Sequence, residues 1–380
     1  MTAAQGGFAL LVLRGRLPIV GDRSHRRDRI LRPVPYELPD EQHEARGRAL
    51  WRWVSFALIA LLVAAVAYLG YVGWAGSGLA VGPSASRDCR TPAIAYGWQY
   101  EAVNYDAASD LRLQSLDDPT SCDLPPARAG DPIVTSDGVR LAGWYIPAAA
   151  GIGAAGPTVV LAHGHGGNKS SLLAQAAVLH DQYNLLLFDF RGHGQSDPAN
   201  STVGLLERLD LRAAIDWLET SKSPRTIGVL GVSMGGAAAV NEAATDQRVI
   251  ALVLDSTHAT LADALQARLE WEGYPLSLPG AWAILFGGLV RTGQDMSAAD
   301  PVQAAGRYGS RPLLVIGAGR DDALGSNDAA DIADAARRDG APVELRICAQ
   351  AGHAQSVEAC AADYRTWVLG FFERTLGRGS

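Results

Sequence analysis

Cysteine and basic charge are scarce in this chain, and each scarcity excludes a class of function. The 380 residues hold 4 Cys, with no Cys-x-x-Cys or Cys/His spacing that would indicate a zinc site. The formal net charge of −7 excludes the basic face that a nucleic-acid-binding protein needs. The glycine-rich segment 231–236 lacks the Lys-Ser/Thr ending of a P-loop. We therefore expect no metal ion, no cofactor and no nucleic-acid partner.

A long run without charge lies in the N-terminal quarter of the chain. Residues 53–75 (WVSFALIALLVAAVAYLGYVGWA) carry no charged side chain. At ~1.5 Å per residue they are long enough to cross a hydrocarbon core of ~30 Å. Trp and Tyr cluster toward the two ends of the run, as interfacial aromatics do. The run is too long and lies too far from the first residue for a cleaved signal peptide, so we predict a transmembrane helix at Trp53–Ala75.

The distribution of arginine predicts the orientation of this helix. Residues 1–52 contain 10 Arg, whereas Arg87 and Arg90 are the nearest after the run. The positive-inside bias places the N-terminus in the cytoplasm and the large C-terminal part outside the cell membrane. Residues 1–52, rich in Arg and Pro, are predicted to be a mostly disordered tail. Residues 76–130 are predicted to be a juxtamembrane linker or a decoration of the globular domain.

All four cysteines follow the predicted membrane helix, on the side expected to be oxidising. Four cysteines allow three pairings. We favour Cys89–Cys122 and Cys348–Cys360 because each pair is close in sequence. Four free buried thiols remain the alternative.

Short apolar runs alternate with helical segments from residue 131 to residue 376. The predicted strands are 139–147, 158–162, 185–190, 226–230, 249–255, 312–317 and 342–348, and the predicted helices are 170–181, 205–220, 234–245, 327–339 and 355–376. Continuous apolar strands between helices indicate an α/β domain with a mostly parallel sheet covered on both faces.

A Gly-x-Ser-x-Gly pattern at Gly231–Gly235 carries the strongest chemical signal. An apolar run precedes it and an Ala-rich helix follows it, so Ser233 is predicted to lie on a sharp turn from strand to helix. Flanking side chains would clash in such a turn, which explains the two glycines. The serine hydroxyl would then lie at the N-terminus of a helix, where partial positive charge stabilises an anion.

A serine nucleophile needs a base and a group that orients the base, and both are found after later strands. His353 follows the last predicted strand, and Asp321 and Asp322 follow the strand before it. We favour Asp322, three residues after Gly319, over Asp321. Asp255, at the end of a preceding strand, is a further alternative. The order Ser, Asp, His is the one described for α/β-hydrolases.

Two backbone amides are needed to bind an oxyanion. The first predicted donor is the N–H of Met234, directly after the serine. The second is the N–H of His165, in the glycine-rich segment 163–168 after an early strand. The His-x-His spacing at His163 and His165 allows a metal site, but no acidic or Cys ligand accompanies it.

Residues 131–376 resemble the α/β-hydrolase superfamily. The resemblance rests on HGHGGN (163–168), DFRGHGQS (189–196), GVSMGG (231–236), the Asp322 loop and Ala-Gly-His353. Within the superfamily, the chain resembles membrane-anchored Bem46-like hydrolases and prolyl-oligopeptidase-type domains. The resemblance implies a mostly parallel eight-stranded sheet flanked by helices. It also implies that segment 189–196 is structural. Where family members often carry His-Gly before the acid loop, this chain has Ala318-Gly319.

The same resemblance implies a short helical lid at about residues 256–300. The segment contains the aromatic residues Trp271, Tyr274, Trp282 and Phe286, which would suit an acyl or aromatic ester group. The alternative is that these aromatics only pack the lid onto the sheet.

Together these features predict a membrane-anchored serine hydrolase that cleaves a small-molecule or lipid acyl ester, like a carboxylesterase or lipase, through an acyl-enzyme. A peptidase or amidase of the prolyl-oligopeptidase type is one alternative. A catalytically silent scaffold that binds partners or lipid is another.

Overall fold

The structure of this protein is a computed structural model that describes residues 41–84, 90–103, 133–325 and 327–377. The chain divides into two units, Met1–Ala60 and Leu61–Ser380. Helix α1, Glu41–Val81, begins in the first unit and ends in the second. Within the described residues it is the one helix long and apolar enough to cross a membrane, judged by length and composition. The predicted span lies inside it. Of the predicted tail, residues 1–40 lie outside the described residues, and residues 41–52 are helical.

The second unit is built on one mixed sheet with helices on both faces. Its strands are β1 (Glu101–Val103), β2 (Ile133–Val134), β3 (Arg140–Leu141), β4 (Gly143–Ile146), β5 (Thr158–Ala162), β6 (Asn184–Phe188), β7 (Ile227–Val232), β8 (Val249–Asp255), β9 (Leu313–Ala318) and β10 (Val343–Cys348). Its further helices are α2 (Pro92–Tyr96), α3 (Leu173–Leu179), α4 (Glu207–Ser221), α5 (Met234–Ala243), α6 (Leu261–Trp271), α7 (Ser277–Thr292), α8 (Pro301–Ala305), α9 (Asp328–Arg338), α10 (Ser356–Ala359) and α11 (Ala361–Thr375), with 3₁₀ turns at Lys169–Leu172 and Met296–Ala298.

Eight of these strands form the sheet, in the order β1-β4-β6-β5-β7-β8-β9-β10. Strand β4 pairs antiparallel with β1 and β6, and the pairs from β6 through β5 to β10 are parallel. The prediction of a mostly parallel eight-stranded sheet is confirmed. The predicted strand at 139–147 divides, because β3 pairs with β2 in a separate two-stranded sheet.

Two hydrophobic cores lie on opposite faces of the sheet. Along β5, Val160 and Ala162 belong to one core, and Val159 and Leu161 belong to the other. This alternation follows from the two-residue period of a strand, and both faces are apolar because helices cover both. Side chains of α4, α5 and α9 fill the first core, and side chains of α3 and α11 fill the second.

The segment predicted as a juxtamembrane linker contributes to the fold. Helix α1 continues to Val81, and Glu101–Val103 forms the edge strand β1, with Glu101 opposite Tyr145. Cys89 and Cys122 lie outside the described residues, and so does the disulfide predicted between them. Helices α6 and α7 lie between β8 and β9, where the lid is predicted.

Candidate active site

The predicted nucleophile lies where strand β7 meets helix α5. Ser233 has φ 54° and ψ −119°, a backbone conformation that residues with a side chain rarely adopt. A Cβ added at Gly231 would lie 2.5 Å from the carbonyl oxygen of Gly235, and one added at Gly235 would collide with the carbonyl oxygens of Ala162 and His163. The turn therefore closes only with glycine on both sides of the serine.

The serine, a histidine and an aspartate form a continuous chain of hydrogen bonds. The Nε2 atom of His353 lies 2.9 Å from Oγ of Ser233. The Nδ1 atom of His353 lies 2.9 Å and 3.1 Å from the two carboxylate oxygens of Asp321. Because a carboxylate accepts at Nδ1, the proton of the neutral ring lies there, and Nε2 is left to accept the serine proton. The Asp321 side chain is only 7% exposed, whereas that of His353 is 24% exposed and accessible to a reacting molecule.

The predicted acid, Asp322, is corrected by one position, because Asp321 is the residue beside His353. The amide of Gly319 donates to the carbonyl of Cys348 at the end of β10, and that of Arg320 donates to the carbonyl of Ala351 in the loop that carries His353, both at 2.8 Å. These two bonds join the segment that ends at residue 320 to the segment that carries His353. Asp321 is the next residue, and its side chain faces the imidazole. The amides of residues 323 and 324 donate to its Oδ1 at 2.9 Å and 3.0 Å.

The loop that carries His353 is held covalently as well. Cys348, the last residue of β10, forms a disulfide with Cys360, between α10 and α11. The prediction of this pair is confirmed. The bridge closes a ring of chain around His353, which limits how far the imidazole can move away from Ser233.

Asp255, the alternative acid in the prediction, supports the loop that carries His353 through Ser256. Its Oδ1 accepts from Oγ of Ser256 at 3.1 Å, and that Oγ accepts from the amide of Ala354 at 3.1 Å. Asp255 is fully buried, and burial raises its pKa to about 6. The sequence gives no signal for Ser256, whose φ of 51° shapes the turn after β8.

The loop after β5 passes next to the serine. A Cβ added at Gly164 would lie 3.3 Å from the Cβ of Ser233. The ring of His163 holds this loop, since its Nε2 accepts from the amide of Phe190 at 3.0 Å and its Nδ1–H donates to the carbonyl of Gly164 at 2.8 Å. Burial lowers the pKa of His163 to about 3, which keeps the ring neutral and suited to both bonds.

The two predicted oxyanion donors adjoin these positions. Met234 is the first residue of α5, and the first amides of a helix have no partner within it. His165 directly follows Gly164 in the loop beside the serine. Their role stays a prediction.

The fold and the turn at Ser233 agree with the comparison to known families. Residues 157–339 match a family described as having the alpha/beta hydrolase fold. This match covers the strand, the turn and the helix around Ser233. The chain therefore has the α/β-hydrolase fold.

Known relatives of this chain include an uncharacterised protein of Mycobacterium tuberculosis, 35% identical over 156 residues, which are 40% of this chain and 54% of the relative. Protein bem46 of Schizosaccharomyces pombe is 31% identical over 126 residues, 32% of this chain and 42% of that protein. The chain thus spans about half the length of the curated relatives it matches. A solved esterase from Pyrococcus furiosus superposes with a TM-score of 0.56 at 24% identity, over 76% of this chain and 96% of that one.

Helices α6 and α7, the predicted lid, border a cavity of about 590 Å³. Of the four aromatic residues predicted to bind substrate, Tyr274 lines this cavity. Trp271, Trp282 and Phe286 are not among its lining residues and are 60%, 53% and 67% exposed, and their contact with substrate stays a prediction. They lie on the outward side of the lid because its inward side packs against helix α1.

The sequence analysis did not predict that α1 contributes to the site. Nε2–H of His165 donates to the carbonyl of Ala80 at 2.9 Å, and Oγ of Ser84 donates to the carbonyl of Gly166 at 3.0 Å. The end of α1 therefore holds the loop that carries a predicted oxyanion donor. The available signal was the apolar character of residues 79–81, which continues beyond the predicted span.

Proposed function

We propose that this protein is a membrane-anchored serine hydrolase that cleaves a carboxylic ester, with Ser233 as nucleophile, His353 as general base and Asp321 as the group that orients the base. The hydrogen-bonded chain from Ser233 through His353 to Asp321 is the observation that carries this proposal. Serine alone is a weak nucleophile, and a base within about 3 Å that is itself oriented by a carboxylate is the arrangement that activates it.

In the proposed reaction, Oγ of Ser233 attacks the ester carbonyl while its proton passes to Nε2 of His353. Asp321 stabilises the imidazolium that forms. The tetrahedral intermediate collapses, the alcohol leaves with the proton from Nε2, and an acyl-serine remains. Water, deprotonated by His353, then attacks the acyl group, and the acid departs as the serine regains its proton.

The negative oxygen of each tetrahedral intermediate needs donors that are already in place. The amides of Met234 and His165 are the proposed pair. Met234 adds the positive end of the α5 dipole, which favours negative charge at the same point. The neutral ring of His163, bonded to Gly164, supports the proposal by fixing the loop before the substrate arrives.

The proposed location is the cell membrane, with α1 as the anchor and the catalytic unit outside the cytoplasm. The excess of arginine before the span supports this orientation. The Cys348–Cys360 disulfide supports it independently, because disulfides persist in oxidising compartments.

An ester is preferred to an amide as the substrate. A protein of similar fold from Pyrococcus furiosus is an esterase, which supports an ester as the substrate. The test compares hydrolysis of an ester with hydrolysis of an anilide, so that peptidase activity would be detected.

The test uses the full-length protein in detergent micelles, a fluorophosphonate probe, p-nitrophenyl acetate and an aminoacyl p-nitroanilide. Ser233→Ala is expected to abolish both covalent labelling and ester hydrolysis, because the attacking oxygen is removed. Ser221→Ala, an exposed serine at the end of α4, is the matched control and should retain both. Persistent labelling of Ser233→Ala would contradict the nucleophile assignment. Faster turnover of the anilide than of the ester would indicate a peptidase.

A further inference from the structure

The cavity beside the lid is bounded on one side by helix α1. Tyr71, Val72, Ala75 and Leu79 of α1 line it, opposite apolar side chains of α6. Its volume of about 590 Å³ falls within the range of ~300–1,000 Å³ that is usual for small-molecule sites. Every α1 residue that lines it belongs to the second unit of the chain, so the wall and the catalytic residues are parts of one unit.

This cavity reaches the loop next to the nucleophile. His165 lines it, and the residue before it, Gly164, lies against Ser233. A chain that fills the cavity would therefore end beside the predicted oxyanion donor. An acyl chain in this position would bring its ester carbonyl toward Ser233, which adjoins the cavity through this loop and is not itself among the lining residues.

The cavity also lies at the level where α1 leaves the membrane. Tyr71, Val72 and Ala75 are among the last residues of the predicted span, Trp53–Ala75. Oη of Tyr68 donates to the carbonyl of Pro275 in the tip of the lid at 2.9 Å. Tyr68 lies seven residues before Ala75, or ~10 Å along the helix. The tip of the lid is thus beside the last turns of the predicted span.

The exposed side chains of the lid fit a lipid headgroup region. Trp271, Tyr274, Trp282 and Phe286 are exposed, and so are several aliphatic side chains of α7. Aromatic residues with one polar end are enriched at the boundary between headgroups and acyl chains, and the predicted span places Tyr71 and Trp74 of α1 near the same boundary. The pair of Arg268 and Glu272, 2.7 Å apart at the edge of the cavity, suits the same polar boundary and would not suit the hydrocarbon core.

Close packing fixes the lid against α1. A Cβ added at Gly73 would lie 2.6 Å from the carbonyl oxygen of Ala283, and one at Gly287 would lie 2.5 Å from that of Gly73. Small residues of this kind let two helix backbones approach closely. The guanidinium of Arg291, in the last turn of α7, lies 3.6 Å from the ring centre of Trp74 and adds a cation–π contact between α7 and α1.

We propose that the cavity between α1 and α6 is an acyl-chain pocket that opens to the outer leaflet, so that the substrate is a long-chain ester dissolved in the bilayer and α1 forms a wall of the site as well as the anchor. This inference rests on the proposed function and adds the substrate class and its route of entry.

The test compares two esters with the same leaving group, p-nitrophenyl acetate and p-nitrophenyl palmitate, on the full-length protein in phosphatidylcholine vesicles. Ala75→Trp and Leu79→Trp place an indole on the α1 wall of the cavity. Each is expected to lower kcat/KM for the palmitate at least about tenfold more than that for the acetate, because only the long chain needs the filled space. Ala64→Trp, an exposed position on α1 that does not line the cavity, is the matched control and should change neither.

An equal loss for both esters in the two lining variants would overturn the pocket, and so would no loss for either. In both cases wild-type turnover remains, so the proposed hydrolase activity stands. A wild-type protein that hydrolyses neither ester would instead overturn the proposed function, and this inference with it.

Discussion

At the scale of single residues, the site depends on a backbone conformation that serine does not favour. The positive φ of Ser233 costs of the order of 1–3 kcal/mol, and it persists because the surrounding structure leaves no alternative. The amide of Ser233 donates to the carbonyl of Asp255 at 2.8 Å, at the end of the neighbouring strand. The strain is therefore held by the sheet, and the hydroxyl stays where His353 can reach it.

The choice between two adjacent aspartates gives a sharp prediction at this scale. Asp321→Asn should lower kcat for p-nitrophenyl acetate by roughly 10³–10⁴-fold, because an amide does not hold the imidazole in the required tautomer. Asp322→Asn should leave kcat within about twofold, since Asp321 makes the bond to His353. Steady-state kinetics of the two variants decide the matter. A larger loss in Asp322→Asn would contradict the geometry described above.

Ser233 and His353 could be predicted from the sequence because steric and topological rules constrain them. The flanking glycines mark the turn, and the end of the last strand marks the histidine. Neither rule separates Asp321 from Asp322. That choice depends on the two backbone hydrogen bonds from Gly319 and Arg320, which join loops distant in sequence.

At the scale of elements, the segment between β10 and α11 holds His353, the proposed general base, in position. The disulfide, the support from Ser256 and the bonds to the Asp321 loop all converge on it. Each constrains a different part of the loop. Together they reduce the number of positions that His353 can take.

Opening the Cys348–Cys360 disulfide should lower kcat severalfold, because the loop gains freedom and His353 spends less time in line with Ser233. The measurement is kcat before and after reduction, with free thiols assigned by mass spectrometry. The double variant Cys348→Ser, Cys360→Ser removes this bridge alone and should reproduce the loss. Unchanged turnover after verified opening would show that the bridge does not position the base.

Most strands and helices of the catalytic unit could be predicted, because strand β5 and its parallel neighbours are continuous apolar runs. The position at which α1 ends could not be predicted. Gly76, Gly78 and Gly82 are typical of a linker, yet α1 continues to Val81. A Cβ at Gly76 would lie 2.7 Å from the side chain of Ile284, so this glycine serves close helix packing.

At the scale of the molecule, α1 belongs to the catalytic unit from residue 61 onward. Its last turns pack on the lid and bond to the loop beside the nucleophile. Val81 is buried, and its carbonyl accepts from the amide of Ser201 at 3.0 Å. The candidate membrane helix and the hydrolase fold thus share one set of contacts.

Two N-terminal truncations distinguish the role of α1 as an anchor from its role in supporting the site. A chain that begins at residue 61 keeps every contact of α1 with the lid and the loop, and should retain hydrolysis of p-nitrophenyl acetate. A chain that begins at residue 85 loses the hydrogen bond from His165 to Ala80. It also exposes the apolar side chains of α6 and α7 that pack against α1. Its kcat/KM should fall at least about tenfold and its Tm should fall with it. Equal kinetics and equal Tm for the two chains would show that α1 serves only as an anchor.

The bond between Ala80 and His165 has a consequence for how such an enzyme meets its substrate. A site fixed to the end of a membrane helix samples the leaflet by lateral diffusion, in two dimensions. The quantity that sets its rate is then the mole fraction of ester among the surrounding lipids, not its concentration in the bulk volume. Diluting the ester with inert lipid would slow each enzyme molecule even while the total amount of ester in the sample stays constant.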